Sequence, residues 1–202
     1  MTGVVCLKLA SIEDVDTIVN IHNDAFKDFF LTSLGGDFLK FYYSCFMKSG
    51  DGHIFCALCG DRVIGFAAMS EYSKGFNTRL IKKNILLFGV VSLKMLFTSP
   101  KSLLRLIRNL KKTSSNVDDD KDYAELFSIG VVKSAQGMGV GKQLLCAVED
   151  YVRSKEISRL SLTTDYYYND SAISFYRAMQ YHEMYDFIAF PNRRMYRFVK
   201  EL

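Results

Sequence analysis

The feature that most restricts this chain is the run Gln136-Gly137-Met138-Gly139-Val140-Gly141-Lys142, preceded by an apolar segment and followed by an amphipathic one. The upstream segment, about Tyr123 to Val132, is β-rich, and Val140, Leu144, Leu145, Val148 and Val152 form a helical stripe from about Val140 to Lys155. Glycines let a backbone approach an anion with no Cβ in the way, and the first N–H groups of a helix are unpaired donors at its positive end. A strand, this loop and a helix, followed by a further strand at Arg159 to Thr164, predict a right-handed βαβ unit with parallel pairing.

Two familiar phosphate loops fail on residues. A P-loop ending at Gly141-Lys142 requires glycine at 136 and serine or threonine at 143, where the chain has Gln136 and Gln143. A dinucleotide fingerprint starting at Gly137 requires glycine at 142, where Lys142 stands.

The rest of the chain reads as one mixed α/β domain. A strand from about Val4 to Leu9 leads to Ser11, which with Asp14 has capping-box spacing, so a helix is expected from there with Ile12, Val15, Ile18, Val19, Ile21 and Ala25 on its inner face. A second amphipathic segment spans about Asp37 to Met47. His53 to Cys59 and Val63 to Met69 flank Gly60-Asp61-Arg62 as a hairpin. Lys74 to Lys112 is helical in composition, and Thr113 to Asp120 is polar and acidic, which predicts a mobile hinge. Ser171 to Met179 reads as a helix and a strand pair closes the chain.

Composition narrows the function classes. Hydrophobic residues make up 49% and charged residues 24%, the balance of a globular protein and not of a disordered one. The first residues lack the charged and apolar blocks of a leader, and the five cysteines are odd in number and irregularly spaced, so the chain reads as cytoplasmic with reduced thiols. Cys56 and Cys59 spell C-x-x-C, but three residues apart on a strand they point to opposite faces, and His22, His53 and His182 lack ligand spacing; no metal is expected.

Q-x-x-G-x-G after a strand resembles motif A of the GNAT superfamily of N-acetyltransferases, and Asn169-Asp-Ser-Ala172-Ile-Ser-Phe175-Tyr176 is similar to the family's second signature. The resemblance runs from about Val4 to Val199, apart from the stretch between Lys74 and Asp122. It implies a mostly antiparallel sheet of about seven strands in a single domain over 1–202, with a helical insertion at about 74–122 between strands three and four. It also implies acetyl-CoA as co-substrate. Ile129, Gly130 and Val131 would contact the pantetheine arm, Gln136 to Lys142 the pyrophosphate, and Asn169 would belong to the same site. Tyr176 matches the position of a tyrosine that protonates the departing sulfur in many members, and Glu125, eleven residues before Gln136, matches a catalytic glutamate found in some. Each has a plainer reading: Tyr176 as a tyrosine packed on the sheet, Glu125 as a surface strand residue. Asp165 and Asp170 are further carboxylates. In place of the glycine and aromatic that usually end the second signature, the chain has Gln180 and Tyr181.

From Lys74 to Lys112 there are ten lysines and arginines and no acidic residue. Three readings stand side by side: a helical cover over the acceptor site, a patch for anionic lipid, and a solvated face. As a cover, the segment predicts a small anionic acceptor, such as an amino sugar on a nucleotide carrier, whose binding depends on Arg105 and Arg108. No nucleic-acid motif is present. A non-catalytic acyl-CoA-binding module and a membrane-surface interaction protein remain as alternative functions, and a homodimer is left open.

Overall fold

A computed structural model describes residues 4–27, 29, 31–98, 113–114, 119–189 and 192–202. Seven strands carry the architecture: β1 (Val5–Leu9), β2 (Gly52–Cys59), β3 (Arg62–Ser70), β4 (Ala124–Val131), β5 (Arg159–Asp165), β6 (His182–Ala189) and β7 (Arg193–Glu201). They lie in one sheet in the order β1-β2-β3-β4-β5-β7-β6, with Thr113–Ser114 added at the outer edge of β6. Only β4 and β5 pair in parallel; every other neighbour is antiparallel. The mixed fold with one parallel pair is the one expected from the strand–loop–helix–strand order.

Helices cover both faces. On one lie α1 (Val15–Ala25), α2 (Gly36–Met47), α3 (Phe76–Lys83) and α4 (Ile85–Thr98); on the other α5 (Val140–Ser154) and α6 (Asp170–Ala178). Strand alternation divides the core accordingly. Ile54 and Cys56 of β2 face the first group, while Phe55 and Ala57 face the second. Cys56 thus sits in one core and Cys59 against the other, as expected for residues three apart on a strand. The α5 stripe, Val140, Leu144, Leu145, Val148 and Val152, is wholly buried.

Several expectations need correction. The Ser11–Asp14 capping box forms, with the Ser11 N–H donating to Asp14 Oδ2 at 2.7 Å, but it opens a 3-10 turn over Ile12–Asp14 and not the helix itself. Ile12 therefore misses the inner face and is 58% exposed, and Ala25, at the other end, is exposed as well. The described part of the insertion is helical, as expected, and breaks between α3 and α4 at Asn84, whose side chain donates to the Leu80 carbonyl at 2.9 Å. The expected hinge is pinned at its described ends. Thr113–Ser114 pairs with Ile188–Ala189, Asp119 accepts from the hydroxyls of Tyr123 (2.6 Å) and Tyr185 (2.5 Å), and Asp120 pairs with Arg159. Residues 115–118 of the expected hinge lie outside the described residues.

The missing glycine after α6 is resolved locally. Gln180 takes the left-handed conformation itself, at φ +68°. Its N–H donates to the Arg177 carbonyl and that of Tyr181 to Tyr176, the paired bonds of a Schellman cap, with the Tyr176 and Tyr181 rings in edge contact. Glu156, at φ +59°, ends α5 in the same manner.

Candidate active site

Where β4 parts from β5 the sheet opens. Parallel pairing holds for Ala124↔Leu160, Glu125↔Ser161 and Leu126↔Leu162 and then stops, while β5 continues against β7 as far as Asp165↔Met195. A bulge causes the divergence. Ala68 pairs with Ser128 and Met69 with Leu126, which leaves Phe127 as the extra residue of β4, its ring drawn against Phe46 and Phe76. Beyond the bulge, Val132 N–H still bonds the Ile64 carbonyl of β3. Backbone alternation then turns the polar groups of Ile129 and Val131 away from β3, toward the opening. The Val131 carbonyl accepts there from Gln136 Nε2 at 3.3 Å.

Gly130 lies on the wall between this opening and α1. A Cβ at Gly130 would come within 3.1 Å of the Phe66 ring and 3.4 Å of Ile21, so its lack of a side chain lets α1 close on the strand.

The glycine loop sits at the mouth of the opening. Gly137 and Gly139 have φ +78° and +79°, a conformation other residues adopt only with strain, and at each an added Cβ would meet no protein atom within 4 Å. The first bond of the α5 ladder runs from Gln143 N–H to the Gly139 carbonyl at 3.0 Å. The N–H groups of Val140, Gly141 and Lys142 thus precede the ladder. No aspartate or glutamate occurs between Glu125 and Glu149, so nothing in the chain from the end of β4 through most of α5 opposes an anion.

Loop and opening form one cavity of about 730 Å³, lined by Ile129, Gly130 and Val131 from β4, by Gln136, Gly137, Gly139, Val140, Gly141 and Lys142, and by Tyr176 from α6. That volume lies within the range of sites that hold a small molecule or a cofactor arm. The structure therefore brings together nine of the eleven sequence-assigned binding positions with one of the two catalytic ones. Met138 points away and is 49% exposed. Asn169 lies off the cavity at the start of α6, where its side chain donates to Thr164 Oγ1 at 2.6 Å and its carbonyl accepts from Ile173 N–H. It stands at the N-terminus of the helix that carries Tyr176.

Tyr176 packs among Phe175, Tyr181 and Phe198 and is buried, yet it lines the cavity and its hydroxyl has no hydrogen-bond partner among the described residues. The ring belongs to the core, as the plainer reading has it. Burial raises its pKa well above that of a free phenol, so the group stays protonated throughout the neutral range.

Glu125 is placed otherwise. It lies on the α1–α3 face, off the cavity, and both carboxylate oxygens are taken: Oε1 accepts from Arg197 Nη1 and Oε2 from Ser73 Oγ, each at 2.5 Å. It is not the surface strand residue of the plainer reading. Burial works against the Arg197 charge, but Glu125, Tyr123 and Tyr185 together hold the guanidinium above its ordinary pKa. Tyr123 and Phe187 flank the same guanidinium. Asp165 is occupied by a bidentate pair with Arg193.

Sequence reasoning missed the α1 and α6 side of the cavity. Ala25, Phe26, Ala172, Phe175 and Met179 line it, and the α6 members were legible in principle as one helical face with Tyr176. It also missed Ser73 and Arg197, which carry no local signal. A second cavity of about 720 Å³ is lined by Asp14, Asp24 and Asp61 with Arg62 as its one cationic residue, which makes it a poor match for a polyanion. Of the insertion's described residues, 74–98, 113–114 and 119–122, none lines the loop cavity, and Arg105 and Arg108 lie outside the described residues.

A split parallel pair with a glycine-rich helix start at its mouth makes a site for an anionic ligand at the edge of the opening. The comparisons give the family. The sequence model of the acetyltransferase (GNAT) family matches residues 15–181, and the chain belongs to that family. Its fold is that of an N-acetyltransferase from Staphylococcus aureus Mu50, at TM-score 0.62 and 16% identity over 98% of each chain. It also resembles the PaiA N-acetyltransferase of Thermoplasma acidophilum in complex with coenzyme A (TM-score 0.61, 14% identity, 98% of this chain and 99% of that one). A third similar structure is YncA from Salmonella typhimurium with its cofactor acetyl-CoA (TM-score 0.62, 14% identity, 98% and 94%). A search of curated proteins finds no sequence match. No helix among the described residues is long and apolar enough to cross a membrane.

Proposed function

We propose that the protein moves an acetyl group from acetyl-CoA to a primary amine by direct attack. The observation that carries this is the cavity joining the Gln136–Lys142 loop, the unpaired stretch of β4 and Tyr176. The loop N–H groups and the positive end of α5 suit the pyrophosphate, and the outward backbone of Ile129 and Val131 suits the amide groups of the pantetheine arm.

In this reading the amine nitrogen forms the new C–N bond as the C–S bond breaks, and the sulfur leaves with the electron pair and takes the Tyr176 proton. Solvent then restores the phenol. The phenol is protonated and needs no partner displaced, and the donation is driven by the charge that develops on the departing sulfur and not by the acidity of the phenol, which burial lowers. Glu125 belongs to the acceptor side. As the base, it takes the proton of the ammonium on the oxygen that now accepts from Ser73 Oγ, directly or by one water, while Arg197 holds the other oxygen. The acceptor is a small molecule in this reading, and the charge of the insertion favours an anionic one.

Turnover of acetyl-CoA over a panel of amines, followed by thiol release, tests the proposal. Tyr176→Phe should lower kcat by about 10² to 10⁴-fold while leaving the KM for acetyl-CoA nearly constant. Rates within about twofold of wild type, with chemistry limiting, would return Tyr176 to a purely packing role. If CoA binds but no amine is acetylated, the non-catalytic binding module becomes the better reading.

A further inference from the structure

The outer face of α4 is apolar. Phe88 and Val91 turn inward, the Phe88 ring meeting Phe41 of α2 at 4.7 Å, and this anchors the helix to the core. On the opposite side Ile85, Leu86, Leu87, Val90 and Leu93 are all exposed, Leu86 by 84% and Val90 by 67%. Leu86, Val90 and Leu93 follow the i, i+4, i+7 spacing of one stripe, with Ile85 and Leu87 beside it. A surface helix ordinarily turns charged residues to this side. A contiguous apolar stripe facing water marks a docking face.

The charges around the stripe specify what docks. Residues 76–98 hold Arg79, Lys82, Lys83 and Lys94 and no aspartate or glutamate, and Lys74 just before them is exposed. Arg79 is paired with Asp51 and Lys83 donates to the Ser49 carbonyl, which leaves Lys82, three residues before α4, and Lys74, before α3, exposed. An exposed apolar stripe within a stretch, Lys74 to Lys112, that carries ten lysines and arginines and no acidic residue matches a surface of acyl chains beneath anionic headgroups. A second copy matches less well. The stripe falls short of the roughly 800 Å² per partner that a stable dimer face buries, and a symmetric contact would set lysine against lysine. The 14 residues of α4 span about 21 Å, too short to cross a bilayer and sufficient to lie in its interface.

We infer that α4 is a peripheral docking helix that seats the protein on an anionic membrane, its Ile85–Leu93 stripe entering the interface. The catalytic opening lies elsewhere in the sheet, so the inference stands or falls separately from the acyltransferase reading. The full chain should sediment with vesicles of phosphatidylcholine and phosphatidylserine in equal parts, weakly with phosphatidylcholine alone, and less as salt is raised. The double variant Leu86→Asn, Val90→Asn should lose about tenfold or more in partition coefficient at an unchanged melting temperature. Because the chain has no tryptophan, Leu86→Trp supplies an independent probe whose emission should shift to the blue on those vesicles. Absence of sedimentation, wild-type partitioning by the double variant, or an unshifted Leu86→Trp emission with vesicles would overturn the inference. A dimer in ultracentrifugation that the double variant dissociates would assign the face to a second copy instead.

Discussion

His22 offers a prediction whose size follows from its surroundings. The side chain is 2% exposed on α1, with Nδ1 2.7 Å from the Tyr43 hydroxyl, rings of Phe26 and Phe66 beside it, and no partner for Nε2 among the described residues. Protonation would put a charge and a second donor into this apolar setting. Burial accordingly pushes the pKa from 6.5 down to about 4. In the unfolded chain the imidazole protonates at its ordinary value, so between those two pH values the unfolded state binds more protons and stability must fall as pH falls. The contribution is intact above about pH 6.5 and lost by about pH 4. The gap corresponds to about 3 kcal/mol. Urea unfolding of wild type and His22→Gln, which keeps an acceptor for Tyr43, should be compared at neutral pH and at several points across that window. The stability difference between the two should move toward the variant by about 3 kcal/mol as pH falls. Parallel pH profiles would refute the reasoning. Asp14 and Asp119, whose pKa values lie below those of ordinary carboxylates, act at lower pH and are common to both proteins.

Three further outcomes are expected. Gln180→Gly should stabilise the protein by roughly 0.5–1 kcal/mol, since it relieves a left-handed residue without touching the cap bonds; a loss in thermal melting would contradict this. Arg197→Met should destabilise by about 3 kcal/mol or more by leaving Glu125 buried and unpaired, and Glu125→Gln in the same chain should recover part of it, measured as a double-mutant cycle. Gly141→Ala should keep coenzyme A affinity within a few-fold, because its φ is ordinary and the new Cβ would sit 3.9 Å from the Phe175 ring; a loss comparable to that of a Gly139 variant would contradict it.

The parts of the fold that were legible in the sequence share a physical cause. The α5 stripe, the β2–β3 hairpin and the strand order could be read because each depends on local periodicity or turn chemistry, which neighbours in sequence decide. The loop was legible for the same reason: its glycines have to satisfy both their own backbone angles and the helix start. What failed to show depended on long-range pairing. Glu125 reads as a free strand carboxylate until Arg197, 72 residues away, closes on it, and Asp119 reads as loop polarity until Tyr185 supplies a hydroxyl. Ile12 followed the helical period, but the 3-10 turn after Ser11 rotated it out of the face. The α4 stripe was visible as an apolar run, yet composition alone did not say which side packs on Phe41.

The central claim is that the Gly137–Lys142 turn receives the pyrophosphate of coenzyme A. Titration calorimetry with coenzyme A on wild type and Gly139→Val tests it most directly. The substitution adds a branched side chain at φ +79°, into the space in front of the α5 N-terminus where no protein atom lies within 4 Å of the added Cβ. Binding by wild type with none detectable in Gly139→Val, at a melting temperature showing that the variant is folded, is the predicted result. Equal affinity in the two proteins, or no binding by wild type, would contradict the account.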